Sequence, residues 1–390
     1  MNIDVPPRVE LAKIERLAFG GLAAVGGFTA VLGAMLAPER MWAGWLLVSY
    51  YAVGLGLAGL CFVAIQYATG ASWSVAIRRV GEALAGTLPF SLVLLGVVFV
   101  VRPELYPWTR TGAASATLAF KYLWLNRGFF LVRAGVYSVL WMACAMAIRR
   151  NSRRQDDDGD LRWTRANVRL SAVFLAVFGV TFTLASMDWV MSLDPLWYST
   201  IFGVYNFAGL FLGGLAAIII VVLWLEQKGP LQRIVNDDHL HDLGKLLFAF
   251  SSFWMYIWFS QYLLIWYTNI SEETSYFVRR THGAWLALFL ANVVLNWLGP
   301  FVVLLRRDTK RQRKTLWRVA VMVLVGRWLD LYLMIFPAVV GDAPRIGLWE
   351  IGLIAGGTGC FAFVLARILR GAPSVPIADP QLAESLEYGH

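Results

Sequence analysis

The stretch 198–225, YSTIFGVYNFAGLFLGGLAAIIIVVLWL, contains no charged residue. As an α-helix rising ~1.5 Å per residue it is longer than the ~30 Å hydrocarbon core of a bilayer is thick. A membrane barrel strand would alternate apolar and polar positions over about ten residues, and this run does not alternate. Nine more stretches read the same way: 17–37, 43–68, 83–101, 128–148, 168–187, 243–267, 283–305, 317–337 and 348–369. The expectation is an all-α integral membrane protein with ten transmembrane helices. Composition agrees, since 58% of the 390 residues are hydrophobic and 15% charged, against roughly 45–50% and about 25% in soluble chains. Soluble multi-domain and disordered classes are excluded. The first stretch is too long for a signal-peptide core and no small-residue cleavage site follows it, so we expect it to be a span.

Positive charge sets the orientation. Of the 34 Lys and Arg, 24 fall in the N-terminal tail, the even-numbered loops and the C-terminal end; eight fall on the other side, and Arg133 and Arg327 lie within spans. This bias places both termini in the cytoplasm. The net charge of +9 is then a topology signal and calls for no nucleic-acid partner. The basic loop 306–314, RRDTKRQRK, reads as an anchor at the lipid surface. No detachable soluble domain is legible. The 149–166 link is expected to be flexible around QDDDGD, and residues 371–390 form a polar cytoplasmic tail. Trp108 and Trp124 in the outer loop 102–127 suit an interfacial belt or a docking surface.

The three Cys (Cys61, Cys144, Cys360) are far apart, and none of the four His lies near the middle of an apolar run. Neither an iron–sulfur site nor a membrane haem is expected in this chain.

Charges at membrane depth are costly, roughly 2.5–3.5 kcal/mol each, and therefore point to structure or function. Arg327 and Asp330 share a helix face at i, i+3, as an ion pair or with Asp330 as a protonatable relay. Arg133 either snorkels outward or pairs with an acid such as Asp188 or Asp194. Glu82 is a paired interfacial group or a proton entry site. In the seventh stretch His241, Lys245, Ser252, Tyr256 and Ser260 fall within a sector of about 100° and span about 28 Å. That stripe is either a proton path or ordinary interhelical packing. Asn292 and Asn296 share a face of the eighth, where Gly299 and Pro300 should bend or end the regular helix.

Two stretches carry a resemblance. They are 186–209, SMDWVMSLDPLWYSTIFGVYNFAG, and 238–277, DHLHDLGKLLFAFSSFWMYIWFSQYLLIWYTNISEETSYF. Both resemble the F subunit of bacterial alternative complex III, a quinol oxidoreductase of respiratory and photosynthetic electron transport in the cytoplasmic membrane. The resemblance implies the fold of polysulfide-reductase membrane subunits. In it two four-helix bundles, spans 2–5 (43–187) and 6–9 (198–337), are flanked by spans 1 and 10. It also implies a cofactor-free chain beside a sister C-type membrane subunit, an iron–sulfur subunit and c-type cytochrome subunits, with quinol as the substrate of the complex. The family's F subunit is often described as a second quinone-binding subunit, and a proton-conducting role has been proposed for it. The matching motif residues are Asp188, Asp194, His241, Asp242, Lys245, Tyr256, Gln261, Glu272 and Glu273. Leu196 departs from the pattern, where His is expected. Three functions are thus in play: an energy-coupling subunit, a purely structural scaffold, and an independent secondary transporter. The last would need broken helices in matching positions of two inverted halves.

Overall fold

The chain is described by a computed structural model over residues 9–111, 121–341 and 343–388. His390 and residues 112–120 of the outer loop lie outside these. The helices in chain order are α1 (Lys13–Leu36), α2 (Pro38–Thr69), α3 (Arg78–Ala85), α4 (Leu88–Val101), α5 (Trp108–Thr111), α6 (Arg127–Asp158), α7 (Leu161–Trp189), α8 (Phe202–Lys228), α9 (Asp237–Thr268), α10 (Ser271–Thr281), α11 (Trp285–Val293), α12 (Gly299–Leu304), α13 (Arg307–Arg311), α14 (Arg313–Val339), α15 (Leu348–Arg370) and α16 (Leu382–Leu386). There is no β-strand among the described residues.

Nine helical stretches among the described residues are long and apolar enough to cross a membrane. They are α1, α2, α3 with α4, α6, α7, α8, α11 through α12, α14 and α15. The protein is a helical multi-pass membrane protein. Helix α9, the expected seventh span, is 32 residues long. Its first turns are charged, and its middle is rich in Trp and Tyr, whose polar tips dilute its apolarity.

Helices α2, α3–α4, α6 and α7 pack as one group, and α8, α9, α11–α12 and α14 as another. The groups meet along α2, α7 and α8, with α14 against α2. Small residues allow the close approaches. Gly214 of α8 sits on Ala58 of α2, where a Cβ would collide. Outside both groups, α1 lies against α15 through Gly26 and Gly356, whose backbones touch. Close backbone contact through small residues holds membrane helices together where no hydrophobic effect separates helix from lipid.

One expected feature takes a different form. The link 149–166 is not a flexible segment. Helix α6 continues to Asp158, Gly159 ends it with φ +66°, and Asp160 caps α7 by accepting from the Arg162 amide at 2.8 Å. Glycine takes this left-handed conformation without a Cβ penalty, so one residue closes the hairpin. The tail is also ordered. Val375, Leu382 and Ser385 are buried. The Ser385 hydroxyl donates to the Trp73 carbonyl at 2.9 Å and accepts from the Ala76 amide at 3.1 Å.

Prolines interrupt three spans. Pro89 sits in the first turn of α4, just after the break at Gly86–Thr87 that separates it from α3. Pro300 follows a π-helical turn, Val294–Leu298, and has no N–H to offer the Asn296 carbonyl four residues back. Ser251 of α9 donates its hydroxyl there instead, at 2.7 Å. Pro337 likewise frees the Leu333 carbonyl of α14. The buried Arg280 donates Nε to it at 2.7 Å and Nη2 to the Met334 carbonyl at 3.3 Å. Replacing Arg280 by Leu should therefore cost about 1–3 kcal/mol, the penalty for unmet buried polar groups. Adding Pro337→Ala, which restores the backbone donor, should recover part of that loss. Thermal unfolding of the two variants in detergent checks both steps.

Candidate functional site

Asp330 is completely enclosed. Its carboxylate pairs with Arg327 and accepts from the Tyr205 hydroxyl, from Asn292 Nδ2 at 3.0 Å and from Trp254 Nε1 at 3.3 Å. Four helices, α8, α9, α11 and α14, converge on this one group. Gly209 on α8 makes the room, because a Cβ there would strike the Arg327 guanidinium. The hydrogen bonds continue in both directions. Arg327 Nη2 lies 3.5 Å from Asn206 Oδ1, which accepts from the Tyr50 hydroxyl at 3.3 Å. On the other side Asn296 Nδ2 donates to Asn292 Oδ1 at 2.7 Å, and Ser251 meets the Asn296 carbonyl. A void of about 10 Å³ borders Tyr50, Tyr51 and Arg327, close to the smallest that holds one water.

The second cluster surrounds Glu82. Arg79 Nη1 donates to its Oε2 at 2.8 Å and the Ser152 hydroxyl to its Oε1 at 2.7 Å, while Arg78 Nε stands 3.9 Å away. Arg79 also pairs with Asp156 of α6, and Arg78 with Asp379 of the tail. All eight residues of α3 are buried. Two arginines thus face three carboxylates from three parts of the chain. A cavity of about 20 Å³ lined by Glu82, Arg79, Arg149 and Arg153 adjoins them.

At the opposite end Arg133 and Asp188 form a buried two-pronged pair, with Nε to Oδ2 at 2.8 Å and Nη2 to Oδ1 at 2.9 Å. Asp188 also accepts from Trp124 Nε1 at 2.8 Å and the Tyr137 hydroxyl at 3.3 Å. Of the two readings for Arg133, inward pairing is the one found, and Asp188 is the acid. Asp194 stands 3.7 Å from Arg279. Trp108 is buried against Ser192 and is not an interfacial ring, while Trp124 donates to Asp188 and keeps an exposed face.

The stripe on α9 is not brought into the interior of this chain. Tyr256 is 65% exposed and the Lys245 side chain 55% exposed. Lys245 pairs with Asp242 in its own helix, His241 Nδ1 stands 4.0 Å from the same carboxylate, and Ser252 bonds back to the Phe248 carbonyl at 3.1 Å. The inward face of α9 carries Ser251, Trp254 and Gln261. Sequence reading missed Tyr205, Asn206 and Tyr50 beside Asp330, and Asp156 and Asp379 in the cluster around Glu82 and its neighbours Arg78 and Arg79. The pair Tyr205–Asn206 was the one available signal, as the polar interruption of an otherwise apolar run.

The tail joins the start of α9. The Tyr388 hydroxyl donates to Asp242 at 2.5 Å, and its carbonyl accepts from Asn236 Nδ2 at 2.6 Å. The bond to Asp242, helped by burial, pushes the Tyr388 hydroxyl up to about 12, so it stays a donor. His239, enclosed beneath Tyr388, lies before the apolar stretch of α9. Burial holds its pKa below the ordinary value, against the pull of Asp242 and Asp238. No protein-family model matches the chain, and no curated protein matches it.

Two outcomes are expected. Asp330→Asn leaves Arg327 buried without its counter-charge and should cost about 3–5 kcal/mol, read as a large fall in melting temperature in detergent. His239 takes up a proton less readily in the folded chain, where it is buried, than in the unfolded one. The stability this contributes should thus be full at neutral pH and fall as pH drops below about 6.5, the ordinary histidine value. Thermal unfolding in detergent at pH 7.5 and 5 checks this.

Proposed function

We propose that the chain is the energy-coupling membrane subunit of a quinol-oxidising complex of the alternative complex III type. It would sit in a bacterial cytoplasmic membrane with α9 as the seventh of ten spans and both termini in the cytoplasm. The supporting observation is the hydrogen-bonded chain Tyr50–Asn206–Arg327–Asp330–Asn292–Asn296–Ser251, built across two helical groups at apolar depth. A carboxylate so placed costs more than packing alone requires, and titratable groups in membrane interiors mark proton relays. The motifs 186–209 and 238–277 supply the assignment to a family. In this reading Glu82, with the water-sized cavity beside it, is the cytoplasmic entry. Asp330 is the inner station, held by Arg327. Lys245, His241 and Tyr256 lie off the path. The partners would be the C-type membrane subunit, the iron–sulfur subunit and c-type cytochromes, which carry the redox groups. Quinol is oxidised in the complex.

A scaffold reading draws on one observation. Between Ser251 and Asp242 the inward face of α9 is Leu247, Gly244 and Leu243, an apolar gap with no titratable group to pass a proton across. One set of measurements separates the two. The chain is isolated in mild detergent with its partners, the subunits are identified, and c-type haem is read by visible spectroscopy. The complex is then placed in sealed vesicles. Glu82→Gln is expected to lower proton movement per quinol severalfold with assembly and haem content unchanged, while Lys245→Met leaves coupling intact. Full coupling in an assembled Glu82→Gln complex would favour the scaffold, and absence of haem-bearing partners would remove the assignment altogether.

A further inference from the structure

The seam between α8 and α14 carries a feature that no step above uses. At the basic end of the molecule it opens into a cavity of about 440 Å³ lined by Leu223 and Gln227 of α8 and by Arg313, Lys314, Trp317 and Arg318 of α14. The acids nearby are already engaged. Glu226 and Asp237 both pair with Arg313 at 2.7–2.8 Å, and Glu15 is held by Lys228 at 2.9 Å and Trp224 at 3.1 Å. Among the described residues Lys314 and Arg318 have neither an ion pair nor a hydrogen bond, and Gln227 is exposed beside them. The site therefore presents two uncompensated cations and an amide.

One turn further along the same seam the lining becomes apolar. A groove of about 550 Å³ runs between α2, α8, α14 and α15, bordered by Val221, Val321, Leu324, Val325 and Phe361. Lys314, Trp317, Arg318, Val321, Leu324 and Val325 recur at spacings of three and four on α14, so they form one continuous face. From Lys314 to Leu324 the helix rises about 15 Å, half of a ~30 Å hydrocarbon core and so the depth of one leaflet. An exposed Trp between two cations is the chemistry of the headgroup level. The geometry points to a specific site for one anionic diacyl phospholipid. Its phosphate lies on Lys314 and Arg318 with Gln227 as a further donor, and an acyl chain runs down the groove. A soluble anion would leave the apolar half of the seam unused, and an acidic protein segment would not match a leaflet-deep apolar groove.

The test uses the full chain in uncharged detergent, with native mass spectrometry reading bound lipid. Dioleoyl-phosphatidylglycerol should bind about tenfold or more tighter than dioleoyl-phosphatidylcholine. Lys314→Gln with Arg318→Gln should abolish that preference. Arg306→Gln with Arg307→Gln, which removes equal charge from the adjoining loop, should keep it. Val325→Trp, which narrows the groove, should weaken retention of phosphatidylglycerol severalfold with the two cations intact. Melting temperature in lipid-free detergent checks that each variant is folded, and the single substitutions Lys314→Gln and Arg318→Gln repeat the measurement if the pair is not. Equal loss in both double variants would mean diffuse surface charge and would overturn the site. So would equal binding of the two lipids, or displacement by millimolar inorganic phosphate, which would make it a site for soluble anions.

Discussion

A carboxylate with no exposed surface in an apolar helical bundle must be met from every side, and Asp330 is met by Arg327, Tyr205, Asn292 and Trp254. The requirement reaches far beyond one residue. It demands Gly209 on α8, because any side chain there would displace the guanidinium. It fixes the rotation of α8, α9, α11 and α14 about their axes, since each must present one particular group. Lipid tails are as apolar as Leu, so apolar packing alone distinguishes poorly between rotations of a membrane helix. A buried polar centre does distinguish them, because a misrotated helix leaves a donor or a charge unmet.

The same logic operates at the two ends. Asp188 gathers Arg133, Trp124 and Tyr137, tying α6 to α7 and to the loop before α6. Glu82, Asp156 and Asp379 share Arg78 and Arg79, tying α3 to α6 and to the tail. The prolines follow the rule in its backbone form. Pro300 and Pro337 each free a carbonyl, and Ser251 and Arg280 each supply the missing donor from another helix. Helix breaks are tolerated at depth where a neighbour satisfies the liberated group, and each such repair is also a tertiary contact.

What the sequence made legible follows from this. Nine of the ten expected spans were readable because length and apolarity are one-dimensional signals. The interruption at Gly299–Pro300 was readable because proline chemistry is local. Arg133 could be narrowed to two outcomes, because an arginine that deep has few. The inward face of α9 was not readable. A soluble helix advertises its buried face by apolar periodicity, whereas α9 has lipid on one side and protein on the other, and both accept Leu, Phe and Trp. The polar stripe His241–Lys245–Tyr256 stood out for that reason, yet Trp254 and Gln261, which look less polar or less regular, occupy the interior. The order of the tail was hidden too. Its partners Arg78, Trp73 and Asp242 are each more than a hundred residues away, and pairing over that separation leaves no trace in local composition.

The tail links the two helical groups. Asp379 holds Arg78, which stands beside Glu82, while Tyr388 holds Asp242, which pairs with Lys245. One segment therefore touches a charged cluster of each group. Because Arg78 lies between Asp379 and Glu82, displacing Asp379 would leave that guanidinium free to turn toward Glu82. The electrostatic setting of Glu82 is thus completed by a residue about three hundred positions away, and the helical bundle alone does not determine it.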